Sequence, residues 1–226
     1  MRKVLIVGAS RGIGAAIAAL GKPEFEVYSL SRSAEVSNVA KHYSCDVLSD
    51  PLPSIDEPLH GLVYCPGSIH LKPFSRIKAD QFFEDLQLNL LGAVRCLQEY
   101  QRNLQAAEAA SVVLFSSVAV QTGFPYHATV SASKGAIEGL TRALAAEWAP
   151  KIRVNAIAPS LIDTPLAAHL LKEDAKKQAA AARHPLKRLG EAEDIAQMAL
   201  FLLSEKASWM TGQVLLIDGG ITAIKL

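Results

Sequence analysis

Short apolar runs recur along the chain and are separated by longer stretches of mixed polarity. The runs show no alternation of polar and apolar positions, which is typical of strands buried on both faces of a parallel sheet. We therefore predict an α/β fold with a doubly wound parallel sheet, in which helices cover both faces of a single domain. The runs are Lys3–Gly8, Glu26–Leu30, His60–Gly67, Ser111–Ser117, Ile152–Ser160 and Gly212–Gly220.

Four of the intervening stretches have helical character. Gly12–Gly21 is rich in alanine and closes on a glycine, while Ala79–Leu104 carries two apolar faces. Ala132–Trp148 is followed by Pro150, which stops a helix, and Ala192–Leu203 follows a polar turn typical of a helix start.

Two connections depart from this regular pattern. Between Asp46 and His60 the chain has three prolines and no helical period, so one crossover helix is predicted to be missing after Asp46. The segment at about 164–190 is predicted to form one or two mobile helices that close over a substrate. Its apolar positions Leu166, Leu170 and Leu171 favour a hydrophobic or neutral substrate over a phosphorylated one.

Composition narrows the class of partner. The chain has 226 residues, of which 50% are hydrophobic and 20% charged, and its formal net charge is +1. Such a balance gives no electrostatic grip on nucleic acid, so we expect a small-molecule partner. Three cysteines without C-x-x-C spacing predict neither a disulfide framework nor a metal site. Glycines break the N-terminal apolar run well short of a membrane span, so no membrane association and a cytoplasmic location are expected.

The sequence GASRGIG lies between the first predicted strand and the first predicted helix. Backbone N–H groups and the helix dipole converge on an anion at such a turn, and glycine lets the backbone approach a pyrophosphate closely. A three-glycine string alone is weak, but the strand before it and the helix after it supply the required context. The predicted contacts to a dinucleotide are Gly8, Ser10, Arg11, Gly12, Ile13 and Gly14.

The end of the second strand indicates which dinucleotide is bound. An acidic residue there would bind a ribose 2′-hydroxyl, whereas a cation would accept a 2′-phosphate. The chain has Ser31 followed by Arg32, with Arg11 in the glycine turn, which favours NADP(H) over NAD(H). Asp46 and Val47, after a third short strand, are predicted to meet the adenine.

These motifs resemble, in order and over nearly the whole chain, those of the short-chain dehydrogenase/reductase family, whose fold is the Rossmann fold. The Gly8–Gly14 turn is similar to the family's glycine motif, and Asp46-Val47 to its adenine-contacting pair. Tyr64–Gly67 stands in the place of its Asn-Asn-Ala-Gly, with Cys65 replacing an asparagine and Gly67 matching the glycine. The segment PSLIDT resembles its nicotinamide loop, which implies cofactor contacts from Pro159, Ile162 and Thr164.

The resemblance also implies catalytic positions. The family's helix asparagine, strand-end serine and helix lysine match Asn89, Ser117 and Lys134, while its tyrosine position holds Val130. The chain is thus predicted to be a divergent member that lacks the active-site tyrosine. Lys134 is expected to bind the nicotinamide ribose and Ser117 to hydrogen-bond a substrate carbonyl oxygen. Asn89 is expected to kink its helix and bind a water, with a buried amide satisfied by backbone as the alternative. For Ser117 a plain turn cap is the alternative role, with Ser116 as the alternative functional hydroxyl.

Valine has no proton to donate, so another group must replace the tyrosine if turnover is retained. His127 and Tyr126 lie three and four residues before Val130, and His127 falls on its face if the helix reaches back that far. We take His127 as the candidate acid, with Tyr126 and a water relay through Asn89 or Lys134 as the alternatives.

The leading interpretation is an NADP(H)-dependent oxidoreductase acting on a small carbonyl or alcohol substrate. The alternative is a catalytically impaired NADP(H)-binding sensor or scaffold subunit. The resemblance also implies a homodimer or homotetramer, because the family commonly pairs the two long helices that match Ala79–Leu104 and Ala132–Trp148.

Overall fold

Seven parallel strands form one sheet at the centre of the molecule, in the order β3-β2-β1-β4-β5-β6-β7. The computed structural model describes residues 1–225. Strand order runs outward in both directions from β1 and β4, so the sheet is doubly wound, as predicted. The strands are β1 (Arg2–Val7), β2 (Phe25–Ser31), β3 (Lys41–Ser44), β4 (Gly61–Tyr64), β5 (Ala110–Phe115), β6 (Ile152–Pro159) and β7 (Val214–Ile217).

Helices cover both faces of the sheet and create two separate cores. On one face Ile17 and Ile195 belong to a core cluster that includes Val4 and Ile6 of β1. On the other face Leu97 and Ile137 belong to the cluster that includes Leu5 of β1. The helices are α1 (Gly12–Gly21), α2 (Ala79–Leu86), α3 (Gly92–Ala106), α4 (Ala128–Trp148), α5 (Asp174–Arg183) and α6 (Ala192–Leu203).

The connection between β3 and β4 has the predicted irregular form. Residues 45–60, all of which the structure describes, contain no helix. Side chains of α3 hold this segment instead: the Tyr100 hydroxyl donates to the Pro53 carbonyl at 2.9 Å, and Asn103 Nδ2 donates to the Glu57 carbonyl at 3.0 Å. Residues 32–40, between β2 and β3, are also without a helix, which the sequence pattern did not predict.

Several predicted boundaries are wrong by a few residues. Strand β4 ends at Tyr64, so residues 65–67 belong to the following loop. The predicted helix over Ala79–Leu104 is divided by a π-helical turn, Gln87–Leu91, which separates α2 from α3. Helix α4 begins at Ala128 rather than at residue 132. Both shifts matter for the site, because the π turn contains Asn89 and the earlier start places His127 at the first turn of α4.

The segment at 164–190 contains a short 3₁₀ turn, Ala168–Leu170, and helix α5, in agreement with the predicted one or two helices. Within residues 1–225, no helix has both the length and the apolar character needed to cross a membrane.

A glycine substitution in the first turn of α1 tests how closely this turn packs on the preceding glycine turn. A Cβ at Gly14 would lie 2.2 Å from the Gly8 carbonyl oxygen, so Gly14→Ala requires a backbone shift. We expect it to lower the free energy of unfolding by about 1–3 kcal/mol in urea titrations. The matched control is Gly139→Ala, because Gly139 is exposed in α4 and a Cβ there meets nothing within 4 Å. The control should raise stability by up to ~1 kcal/mol; equal effects in both variants would contradict this account of the turn.

Candidate active site

The glycine turn lies at the carboxyl end of β1 and has the geometry of an anion site. Gly8 and Gly12 have φ values of 85° and 57°, in the left-handed region that favours glycine. The Gly8 N–H donates to the Leu30 carbonyl at 2.8 Å, which joins the turn to the end of β2. Among the described residues no side chain caps α1, and its first turn has no acidic residue. Its first N–H groups and its positive dipole end are therefore available to an anionic ligand.

The ends of β2 and β3 bring Ser31, Arg32 and Asp46 together. The Ser31 hydroxyl is buried and has no hydrogen-bond partner within residues 1–225. An Arg32 nitrogen lies 4.0 Å from an Asp46 oxygen, and 73% of the Arg32 side chain is exposed. Asp46 also accepts from the Leu48 N–H at 2.9 Å, which fixes the turn that carries Val47. A buried hydroxyl without a partner beside an exposed guanidinium fits a sugar with an anionic substituent.

The loop after β6 completes the same edge of the sheet. A Cβ at Gly12 would lie 3.6 Å from the Thr164 side chain, so Thr164 stands against the glycine turn. Ile162 is buried and forms an isolated parallel bridge with Gly190, while Pro159 ends β6. The structure thus brings the two predicted dinucleotide-binding segments into contact.

The loop is also joined to the segment at 164–190. Ser160 Oγ lies 2.9 Å from His184 Nε2, and His184 is itself buried with its Nδ1 donating to the Ala180 carbonyl at 2.9 Å. Because Nδ1 carries the hydrogen, the Ser160 hydroxyl donates to Nε2. This bond fixes the end of α5 to the loop after β6.

Asn89 is the centre of a buried hydrogen-bond network. It lies in the π turn and is fully buried. Its carbonyl oxygen accepts from the Ser68 N–H at 3.2 Å, and its amide nitrogen donates to the hydroxyls of Ser68 at 3.0 Å and Ser133 at 3.3 Å. Through these bonds one amide connects the loop after β4, the π turn and helix α4. A water bound by Asn89 remains a prediction.

Lys134 is the buried cation of the site, with 9% of its surface exposed. It makes no ion pair with any residue from 1 to 225. Burial lowers the pKa of its ammonium from 10.5 to about 8, and the nearby Cys65 and Asp85 offset part of that effect. A Cβ at Gly67 would lie 3.4 Å from Lys134 Nζ and 3.0 Å from Asn89 Oδ1, so a side chain there would crowd both polar groups.

The two serines after β5 have different roles in the structure. The buried Ser116 hydroxyl donates to Glu138 Oε1 at 2.8 Å, so it is committed to helix α4. Ser117 Oγ accepts from the Ala119 N–H at 3.2 Å and caps a 3₁₀ turn. Accepting this bond leaves the Ser117 hydrogen available, so capping does not prevent it from donating to a ligand.

Of the two candidate acids before Val130, His127 is engaged by other groups of the preceding loop and Tyr126 is exposed. Val130 is buried in the first turns of α4. His127 immediately precedes α4, but its Nδ1 lies 2.8 Å from the Pro125 carbonyl and its ring packs against Phe124. Tyr126 has a φ of 71° and is 58% exposed.

The structure adds a histidine–carboxyl pair that the motif comparison did not find. His70 Nδ1 lies 2.8 Å from Asp85 Oδ1, and the Ser68 hydroxyl donates to the same oxygen. Two signals in the sequence point to it. Ser68 and His70 directly follow the end of a central strand, and Asp85 lies four residues before Asn89 on a helical stretch.

Comparison with known proteins agrees with this geometry. The model of the family described as Enoyl-(Acyl carrier protein) reductase matches residues 8–222. L-xylulose reductase of Bos taurus is 32% identical over 98% of this chain and 97% of its own length. A tropinone reductase homolog of Arabidopsis thaliana is 39% identical over 73% of this chain, a match that spans 63% of that relative.

The chain belongs to the short-chain dehydrogenase/reductase family. A solved structure of ElxO with NADP bound superposes with a TM-score of 0.86 at 28% identity, covering 99% of both chains. The fold and the oxidoreductase class predicted from the sequence are therefore confirmed. As a member of this family, the protein is an oxidoreductase.

The buried ammonium of Lys134 predicts a pH-dependent stability difference. A lysine with a folded-state pKa of about 8 disfavours folding while it is charged, and the penalty is relieved as pH rises from about 8 to 10.5. We expect Lys134→Met to exceed the wild type in unfolding free energy at pH 7 by an amount on the order of 3 kcal/mol. The excess should shrink as pH rises through that window. Urea titrations of both proteins at several pH values measure it, with exposed Lys151→Met as the control. A difference that does not change with pH would show that burial of this ammonium is not costly.

Proposed function

We propose that this protein is an NADP(H)-dependent oxidoreductase that interconverts a small carbonyl compound and its alcohol. The observation that carries the proposal is the meeting of the glycine turn, the Lys134 ammonium and the Ser117 hydroxyl at the carboxyl edge of one parallel sheet. Ligands of open α/β sheets bind at this edge, where the strand order reverses. ElxO, which resembles the whole chain, has been solved with NADP bound, and this supports the choice of cofactor class.

The proposed cofactor site extends from β2 to the loop after β6. The N–H groups at the start of α1 would bind the pyrophosphate, with Ser10, Arg11 and Ile13 beside it. The unpartnered Ser31 hydroxyl and the exposed Arg32 would bind the adenosine ribose and its 2′-phosphate. Asp46 and Val47 would border the adenine. Gly67 would border the part of the cofactor between the adenosine and the nicotinamide. Pro159, Ile162 and Thr164 would border the nicotinamide. The preference for NADP(H) rests on the two arginines and on the lack of a carboxylate directly after β2.

Three side chains would serve the reacting groups. Lys134 would donate to the nicotinamide ribose hydroxyls, an interaction that compensates its burial by giving the ammonium hydrogen-bond acceptors. Ser117 would donate its free hydrogen to the substrate oxygen and polarise the carbonyl. Asn89 would hold Ser68 and Ser133 in place around them. The cofactor, when bound, supplies the hydride.

The segment at 164–190 is proposed to act as a lid over the substrate. It follows the nicotinamide loop directly and is tied to it by the Ser160–His184 bond. Leu166 is exposed, and Leu170 and Leu171 are half-buried beside it. Apolar side chains at this position favour a neutral substrate.

We also propose that the protein is a homo-oligomer. Phe83 of α2 and Leu91 of the π turn are 64% and 52% exposed, and a second copy of the chain packed on these helices would bury both apolar side chains. Light scattering at micromolar concentration measures the molar mass, and a monomer mass would contradict the proposal.

The function is tested by offering the protein NADPH and a panel of neutral ketones and aldehydes. The oxidation of NADPH is measured by its absorbance at a fixed substrate concentration. The wild type should oxidise NADPH with at least one of these substrates, and it should use NADPH in preference to NADH. Arg32→Ala should weaken NADPH binding by about 10- to 100-fold, because a charge-assisted hydrogen bond is lost, and should change NADH binding little.

Arg102→Ala, on an exposed part of α3, is the matched control and should change neither affinity. Two results would contradict the proposal. The first is binding of neither reduced cofactor, and the second is tight NADPH binding without turnover of any carbonyl compound. The second result would instead indicate a cofactor-binding protein without reductase activity.

A further inference from the structure

The structure contains a paired histidine and buried carboxyl group at the site where the family's tyrosine is missing. His70 follows β4 in the loop Cys65–Leu71, and 47% of its side chain is exposed. Asp85 of α2 is fully buried, and its Oδ1 lies 2.8 Å from His70 Nδ1. Asp85 Oδ1 also accepts from the Ser68 hydroxyl, while Oδ2 has no partner within residues 1–225.

The pair is connected to the proposed catalytic residues. The Ser68 hydroxyl donates to Asp85 and accepts from the Asn89 amide, which also donates to Ser133, the neighbour of Lys134. The charge of Asp85 acts on the Lys134 ammonium directly and favours its protonated form. His70 therefore belongs to the same hydrogen-bond network as Asn89 and Ser133.

His70 is also next to the vacant tyrosine position. The Thr129 hydroxyl donates to the His70 carbonyl at 3.4 Å, which places the His70 backbone beside the first turn of α4. Val130, at the tyrosine position, is the next residue along that turn. The Lys72 N–H donates to the Tyr126 carbonyl at 3.2 Å, so the two loops run side by side at this point.

The chemistry of the pair suits proton transfer. A carboxylate at Nδ1 makes that nitrogen the donor, so Nε2 points away as the exchangeable position. Histidine exchanges a proton readily near neutral pH, and solvent access to the ring allows it to be reprotonated after each turnover. By contrast, His127 Nδ1 is engaged by the Pro125 carbonyl, and no carboxylate contacts it within the described chain.

We propose that His70, oriented by Asp85, is the general acid and base that replaces the missing tyrosine. The proposal rests on the function proposed above. In the reductive direction, the hydride from the cofactor forms the new C–H bond at the carbonyl carbon as the C=O π bond breaks toward oxygen. The imidazolium form of His70 gives its Nε2 proton to that oxygen, which yields the alcohol and the neutral imidazole with its hydrogen on Nδ1. The imidazole then takes a proton from solvent, so one carbonyl compound, one NADPH and one proton give one alcohol and one NADP⁺.

The first test uses the protein without cofactor. Nitrogen-detected NMR of the imidazoles should show neutral His70 as the Nδ1–H tautomer. Asp85→Asn should abolish this preference, because an amide no longer acts as a pure acceptor. A His70 that carries its hydrogen on Nε2 in the wild type would overturn the proposal whether or not any substrate is known.

The second test compares His70→Gln with wild type on a substrate that the wild type reduces. We expect kcat to fall by about 10²- to 10⁴-fold, the usual contribution of a positioned acid, with the NADPH Kd unchanged within about 2-fold. The near-neutral limb of the kcat pH profile should disappear. The other titratable groups near His70 are Asp85 on α2, Lys134 on α4, and Lys72 and Tyr126 on the adjoining loops; none is altered in this variant.

Controls separate this inference from the function on which it rests. His60→Gln changes the histidine just before the start of β4, at the opposite edge of the sheet, and should leave kcat and its pH profile unchanged. If the wild type reduces no carbonyl compound, the proposed function fails. If the wild type is active and His70→Gln retains its rate and pH limb, or His127→Ala alone removes the limb, the assignment to His70 is wrong while the function stands.

Discussion

The arrangement of side chains at the carboxyl edge of the sheet depends on one buried amide. Asn89 has all of its bonds directed to neighbouring elements: its oxygen accepts from the loop after β4, and its nitrogen donates to that loop and to α4. A fully buried amide is stable only when such bonds are made, so the positions of Ser68 and Ser133 are fixed relative to each other. The π turn provides the geometry, because one extra residue in the helical turn rotates Asn89 inward between α2 and α3.

The same arrangement explains how the site tolerates charged groups. Lys134 is buried without an ion-pair partner in the described chain, and its lowered pKa reflects that cost. Asp85 is buried nearby and contacts an imidazole rather than the ammonium. The Lys134 ammonium is thus left available for a ligand instead of being neutralised by Asp85 in a direct ion pair, which is typical of a binding site and not of a structural salt bridge.

Much of the fold could be predicted from local sequence. The strand–glycine turn–helix at the N-terminus, the helix Ala192–Leu203 and the irregular crossover after Asp46 all have strong local signals: glycines, a capping turn and prolines. The π turn could not be predicted, because the residues QLNLL are also compatible with an ordinary α-helix. Only the contacts of Asn89 with Ser68 and Ser133 distinguish the two. The role of Ser116 likewise depends on a contact with Glu138, 22 residues away. The position of His70 beside the first turn of α4 depends on its contact with Thr129, 59 residues away, which no local pattern contains.

A crystal structure of the protein with NADP⁺ tests the central claim most directly, namely that the Asn89 bonds to Ser68 and Ser133 fix the loop after β4 against α4 so that Lys134 can bind one dinucleotide. The account predicts the pyrophosphate at the first turn of α1, the nicotinamide ribose hydroxyls within hydrogen-bonding distance of Lys134 Nζ, and the Asn89 bonds to Ser68 and Ser133 unchanged. A dinucleotide bound elsewhere, or a Lys134 ammonium turned away from the ribose toward Asp85, would contradict it.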